Sequence, residues 1–197
     1  MTLFRTACFG LTLALGAAAA QADTWTLDGA ASKLAFGSIK FNDLGEVHSF
    51  KSLDGTVGAD GAVALGIDLA SVETNIDIRN ERMVEHVFKN APRAAISAQI
   101  DMAAMEGMAV GESAVMEVEG DLSLLGVEVP LYGDMFVMRL SEDKVMVTTD
   151  SMLFLSTADA ELDPGVDKLM ELASLPNIVR AVPVTLRLMF DADGASG

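Results

Sequence analysis

Few residues of this chain could do chemistry, and they fall into three groups. Two histidines, His48 and His86, and a single cysteine, Cys8, are the only imidazole and thiol side chains in 197 residues. No Gly-x-Ser-x-Gly or His-Glu-x-x-His pattern accompanies them, so neither a nucleophile elbow nor a zinc protease site is encoded. Arg79 and Arg82 stand three apart beside the apolar pair Ile78 and Met83, a cation pair suited to a phosphate or a carbonyl oxygen. Met102, Met105 and Met108 also recur every third residue, and thioethers are the soft ligands that favour Cu(I). That spacing gathers sulfurs on one face only in a helix, whereas 94–103 reads as a strand running into a turn at Glu106-Gly107. Core or cavity filling is the expected role of the three methionines. His48, in a strand, and His86, in a short helix, are expected to be surface or hydrogen-bonded side chains.

The elements that must position these groups are mostly strands. Ala114, Met116, Val118, Gly120, Leu122 and Leu124 alternate with polar residues, a period of two that gives a strand one apolar face. Val182, Val184, Leu186, Leu188 and Phe190 repeat the pattern, as do Val63, Leu65, Ile67 and Leu69 after the turn signal Gly58-Ala59-Asp60-Gly61. Further strands are expected near 24–28, 33–41, 46–57, 94–103, 128–140 and 144–153. Two segments interrupt them: a short helix over 78–88, and a helix capped by Asp163, opened by Pro164 and stopped by Pro176. Eight or so antiparallel strands predict a sandwich or barrel in a single domain, 23–197.

The first 22 residues read differently. Arg5 precedes an apolar run, Leu11 to Ala20, and Ala20-Gln21-Ala22 has the small-x-small form of a signal peptidase site. A secretory leader over 1–22, a mature start at Asp23 and a soluble periplasmic protein are expected. Cys8 precedes the apolar run, the wrong place for lipid modification, and leaves with the leader. Arg5 is one of 13 basic residues and all 29 acidic ones lie beyond it, so past residue 22 the formal charge is −17. That acidity opposes nucleic acid and anionic lipid surfaces as partners.

Several motifs then converge. Trp25-Thr26-Leu27-Asp28 with Ser32-Lys33-Leu34-Ala35-Phe36, Ile67 to Asn75 followed by Arg79-Asn80-Glu81-Arg82-Met83 and Phe88, and Val118 to Val127 occur in the order found in the YceI family of exported lipocalin-like proteins, which the sequence resembles. The family often has Asp where Asn80 stands, and Thr where Ser123 stands. The resemblance implies an all-β fold, an extended eight-stranded antiparallel lipocalin-like barrel with a short inserted helix and a short helix before the last strand. It also implies a binding protein with no enzymatic activity and no cofactor, holding an isoprenoid lipid or isoprenoid quinone. An eight-stranded barrel admits one slender ligand or is filled by its own side chains, so strand number leaves the cavity open. The apolar residues expected at the ligand are Phe36, Phe41, Phe50, Leu69, Ile78, Met83, Phe88, Leu122, Leu124, Phe136 and Phe154, with Arg79 and Arg82 at its head group unless they pair with Glu81 and Glu85. A homodimer and transient membrane contact are compatible with this reading. A copper-handling protein using Met102, Met105 and Met108, and a filled barrel serving as an interaction module, are the alternatives.

Overall fold

The computed structural model describes residues 24–193, so the leader expected at 1–22, its Cys8 and the start at Asp23 lie outside the described residues. Strands β1 (Trp25–Leu27), β2 (Lys33–Lys40), β3 (Leu44–Phe50), β4 (Leu53–Val57) and β5 (Ala62–Asp68) lead to the two-residue β6 (Val72–Glu73) and helix α1 (Asp77–Arg82). Then come β7 (Arg93–Gln99), α2 (Met102–Glu106), β8 (Ser113–Leu124), β9 (Val127–Ser141), β10 (Lys144–Thr149), β11 (Leu153–Ser156), α3 (Asp163–Ala173) and β12 (Ala181–Ala192).

These strands make eight staves. β1 and β2 lie end to end along one edge of β12, against Phe190–Ala192 and Arg187–Val184 respectively. β10 and β11 divide its other edge in the same way. β3 and β4 pair with β2 and β1, and β4 continues the sheet through β5, β7, β8, β9 and β10 back to β12. All neighbours run antiparallel, and the β1–β12 pairing closes an eight-stave barrel. Between β8 and β9 the turn uses Leu125 and Gly126 at φ 55° and 84°. Two positive φ values are what a two-residue hairpin loop needs to match the strand twist, and glycine meets that at little cost.

Local chemistry moves several boundaries away from the sequence reading. The strand expected over 46–57 breaks at Lys51 and Ser52, because their amides donate to Ser71 Oγ at 3.2 and 3.0 Å instead of to a neighbouring strand. The strand expected over 94–103 stops at Gln99. Asp101 Oδ1 accepts from the Ala103 amide at 2.9 Å, an N-cap that starts α2. The strand expected over 144–153 breaks between Thr149 and Leu153 as the chain leaves β9. The helix expected over 78–88 is α-helical to Arg82 and then widens into a π turn over Met83–Val87. Asp163 is the first residue of α3 and not its cap, its carboxylate accepting the Thr157 hydroxyl at 2.5 Å. α3 lies on the π turn at Gly165, where a β-carbon would stand 2.5 Å from His86 O and 2.6 Å from Val87 Cα.

Two apolar clusters line the barrel interior. One gathers Leu34, Leu69, Met83, Phe88, Leu122 and Leu124 near α1 and α3. The other gathers Trp25, Val57, Met108, Val137, Val145 and Phe190 at the opposite end.

Candidate functional site: an apolar cavity with one polar end

Alternation decides what the barrel encloses. On β5, β8 and β12 the residues facing inward are Val63, Leu65 and Ile67, then Met116 to Leu124, then Val182 to Phe190, each in steps of two. The parity read from the sequence holds on all three. On β8 carboxylates occupy the opposite positions, Glu117, Glu119 and Asp121, so the acidic side chains of this strand stay outside. Inside is a cavity of about 590 Å3 bounded by both apolar clusters, within the range of small-molecule sites. Along β12 it reaches from Val182 to Phe190, about 26 Å of strand at roughly 3.3 Å per residue.

At the far end from Phe190 the lining changes character. Here β2 and β3 present Ser38, Lys40, Glu46 and His48 inward, while Val47 between them is 69 % exposed. The usual order of apolar inside and polar outside is inverted over these few residues. Glu46 binds Arg79 Nη1 at 2.7 Å and Lys40 Nζ at 3.0 Å. Its partial burial raises its proton affinity, but the two cations together outweigh this and hold its pKa below the ordinary carboxylate value. Arg79 Nη2 donates to Thr74 O at 2.6 Å, which ties α1 to the segment before it. Asn80 Oδ1 accepts from the Thr74 amide and hydroxyl at 2.8 and 2.6 Å, and Asn80 Nδ2 donates to Glu73 Oε1 at 3.2 Å. Asn80 thus acts through its amide as a clamp on the α1 entrance, without an ion pair.

His48 is 4 % exposed and packs against Phe36 at a ring distance of 5.3 Å. Its Nε2 lies 2.8 Å from Ser38 Oγ. Burial first, and then the charge of Arg79, lowers its pKa below the ordinary imidazole value, so the ring is neutral near pH 7. Its Nδ1 and the Nε of Arg79 are buried and have no hydrogen-bond partner. Buried polar atoms are seldom left unpaired, and both of these belong to residues that line the cavity.

Of the residues expected at the ligand, Phe36, Phe50, Leu69, Ile78, Arg79, Arg82, Met83, Phe88, Leu122, Leu124 and Phe154 line the cavity. Phe41 and Phe136 do not, which corrects their placement. Phe41 has φ 57° in the turn between β2 and β3 and is 48 % exposed. Phe136 stands between the inward Met135 and Val137, so the pleat turns it outward opposite Val115. Arg79 pairs with Glu46 and not with Glu81 or Glu85 as the surface alternative had it. Among the described residues no carboxylate lies within ion-pair distance of Arg82. Ser38, Lys40, Glu46 and His48 were not among the expected site residues. Their signal in the sequence is the inverted alternation around Val47. His86 sits on the π turn 3.8 Å from Glu85, off the cavity.

The methionines end up at the apolar end. Met102 and Met105 lie on α2, so the helical condition for gathering them is met where a strand was expected. They line the cavity together with Met116 and Met135, which face each other across β8 and β9. Met108 is buried in the same cluster. Among the described residues no group of three or more His, Cys, Asp or Glu side chains could hold a metal, and no helix is long and apolar enough to cross a membrane.

Known proteins agree with this architecture. A polyisoprenoid binding domain from Saccharophagus degradans implicated in plant cell wall breakdown is 39 % identical, with TM-score 0.83 over 85 % of this chain and 98 % of that one. BcnA of Burkholderia cenocepacia is 15 % identical with TM-score 0.59 over 83 % of this chain and 98 % of that one, a likeness of fold. No curated protein sequence matches the chain. Residues 25–165, which carry the barrel from β1 to the start of α3, match the model of the YceI-like domain, and the chain belongs to the YceI family.

Proposed function

We propose that this protein binds a long-chain isoprenoid, lipid or quinone, with its tail in the apolar cavity and its head group at the Ser38–His48–Arg79 end, and that it does so in the periplasm after loss of residues 1–22. The observation that carries the reading is the asymmetry of the cavity. A long lining of Leu, Val, Ile, Phe and Met is polar at one end only, the shape of a molecule with an apolar tail and a small head. The relative from Saccharophagus degradans, a polyisoprenoid binding domain by description, supports the same choice.

Energetics make such a carrier useful. At about 0.8 kcal/mol per CH2, each five-carbon isoprene unit gains up to roughly 4 kcal/mol on leaving water. A tail of several units therefore stays in a membrane unless a protein sheathes it. Shape and apolar burial supply the affinity, while the head group supplies orientation. The unpaired Nδ1 of His48 and Nε of Arg79 are the atoms that a head-group oxygen would satisfy. No bond is made or broken, so the reading assigns no catalytic group.

Mass spectrometry of organic extracts from protein purified from its native host tests this. A polyprenyl compound at near-stoichiometric amount is the expected result. A straight-chain fatty acid, or nothing extractable from folded protein, would overturn it. N-terminal mass analysis of the exported form should find Asp23, and an intact Met1 would refute the export reading.

A further inference from the structure

We infer that the ligand's tail enters and leaves sideways, through a slot in the barrel wall between β9 and β11, and not by threading end-on past α1. The inference rests on the tail-binding reading and concerns how the cavity is reached.

Three stretches of wall lack interstrand hydrogen bonds. Residues 44–48 of β3 pair with β2 alone, and α1 stands at that open edge with Arg79 on Glu46. β7 pairs with β8 only at Ala95–Ala98, so residues 113–119 of β8 have no partner on that side. There the chain leaving β7 folds into α2, whose Met102 and Met105 line the cavity as a plug. The third stretch, between β9 and β11, has no such plug. β10 pairs with β9 only from Met135 onward, and the Asp150 amide on Asp134 O, at 2.9 Å, is the last contact between those backbones. β11 pairs with β12 alone. Residues 127–134 of β9 thus bond to β8 on one side and to no strand on the other.

The lining confirms that the cavity passes through this gap. In a closed wall only alternate residues of a strand face inward, as on β5, β8 and β12. Here the lining includes consecutive residues on both strands, Leu131, Tyr132 and Gly133 of β9 and Leu153, Phe154 and Leu155 of β11. Tyr132 and Phe154, whose neighbours point inward, are 66 % and 68 % exposed and still border the cavity. On β2 the consecutive lining residues Phe36, Gly37 and Ser38 have a glycine in the middle, whereas an outward Tyr132 and Phe154 border the void where the strands part.

One side chain spans the gap. Leu153 lies over Gly133, where a β-carbon would stand 2.5 Å from Leu153 Cδ2. Gly133 thus makes room for Leu153 as a latch. Opening the slot requires swinging Leu153 away and breaks no β-ladder hydrogen bond, whereas end-on entry requires the whole tail to slide lengthwise past Ile78 and the charged Arg79 and Arg82. A slot lets an extended apolar chain move in broadside.

The test measures exchange of radiolabelled decaprenol between phosphatidylcholine vesicles and the full chain carrying Cys8→Ser. Phe154→Cys, tagged with biotin-maleimide and capped with streptavidin, should slow exchange by on the order of tenfold, because gating steps set release rates. The same cap on Val115→Cys, on the outer face of β8, should leave the rate unchanged. Leu153→Ala, with the latch removed, should speed exchange at unchanged secondary structure. Slowing by a cap on Ile78→Cys but not on Phe154→Cys would overturn the lateral port, and so would equal rates in all variants. If the unmodified chain takes up no decaprenol while remaining folded, the isoprenoid reading itself fails, an outcome distinct from a failed port.

Discussion

Ser38 and His48 meet across the β2–β3 hairpin, Oγ to Nε2 at 2.8 Å, and that contact turns the other ring nitrogen, Nδ1, away from every hydrogen-bond partner in the protein. A ten-residue separation in sequence thereby shapes the polar end of the cavity. If Ser38 donates, Nδ1 carries the proton; if Ser38 accepts, Nδ1 offers a lone pair.

His48 should make stability fall on mild acidification. Burial is the largest influence against its protonation in the folded state, Arg79 and Lys40 add to it, and Glu46 opposes it. With the folded pKa lowered, the unfolded chain binds the proton more readily, so this contribution is complete above about 6.5 and is lost as pH falls below that value. The carboxylates act in a lower window. Glu46 is lowered despite its burial, and Glu73 is brought down to about 2 by Lys51, the Asn75 amide and Asn80. Their contribution is present above 4.5 and fades below it. Thermal melts at pH 7.5 and 5.5 should show a larger decrease for the native chain than for His48→Gln, and equal decreases would remove His48 from this account.

Arg79 and Arg82 should separate fold from ligand. Arg79→Gln removes the charged donor to Thr74 O and one partner of Glu46, a loss of about 1.5–3 kcal/mol for hydrogen bonds involving a charged group. Arg82→Gln, with no ion pair to break, should keep stability within about 0.5 kcal/mol while weakening a phosphate-headed ligand more than a quinone. Denaturant melts alongside binding of both ligand types measure this. A strongly destabilised Arg82→Gln would give that side chain a structural role instead.

Parity offers a direct comparison. Leu122→Glu places a charge in the cavity wall, costing several kcal/mol if it stays unpaired, and should abolish lipid co-purification. Phe136→Ser, on the outward face of β9, should leave bound lipid unchanged. Circular dichroism must accompany both measurements, and lipid retained by folded Leu122→Glu would mean that β8 faces the other way.

Gly165 should not tolerate a methyl group. Gly165→Ala forces α3 away from the π turn at His86 and Val87, at about 1–3 kcal/mol for overpacking. A shift of the urea midpoint reads it, and no shift would mean that α3 moves freely on the barrel.

The methionine segment distinguishes a carrier from a copper protein. Replacing Met102, Met105 and Met108 together by Leu conserves volume to within a few atoms and should cost less than about 1.5 kcal/mol per site. Prenol binding should survive. Loss of a measurable Cu(I) affinity with unchanged lipid content, or no Cu(I) binding in the native chain, tells which role the thioethers have.

What the sequence made legible follows from where apolar and polar residues truly alternate. β8 and β12 do so over most of their length, and on β5 large Val63, Leu65 and Ile67 alternate with small Ala64 and Gly66, so the inward faces of all three are legible. Across Phe136, Val137 and Met138 every residue is apolar, so period two carries no information about the face, and the expectation that Phe136 faces the ligand fails there. Phe41 was misplaced because hydrophobicity says nothing of a left-handed turn. α2 escapes the pattern because five residues are too few for helical periodicity, and its one local signal is the Asp101 cap. The polar end was missed for a different reason. Partners such as Ser38 and His48, or Glu46 and Arg79, are joined by strand register and by the packing of α1, neither of which can be counted along the chain.

The sulfur-rich end of the barrel has a consequence for discrimination among tails. A floor of Leu or Phe would be a hard stop, fitted to one chain length. Here Met102, Met105, Met116 and Met135 share the lining with Trp25 and Phe190, and each thioether has several rotatable bonds and little resistance to rearrangement. Such a floor retreats or fills in as the tail end arrives. On the proposed isoprenoid reading the protein should be a tolerant gauge of length, binding homologues that differ by one isoprene unit with similar affinity and leaving selectivity to the head.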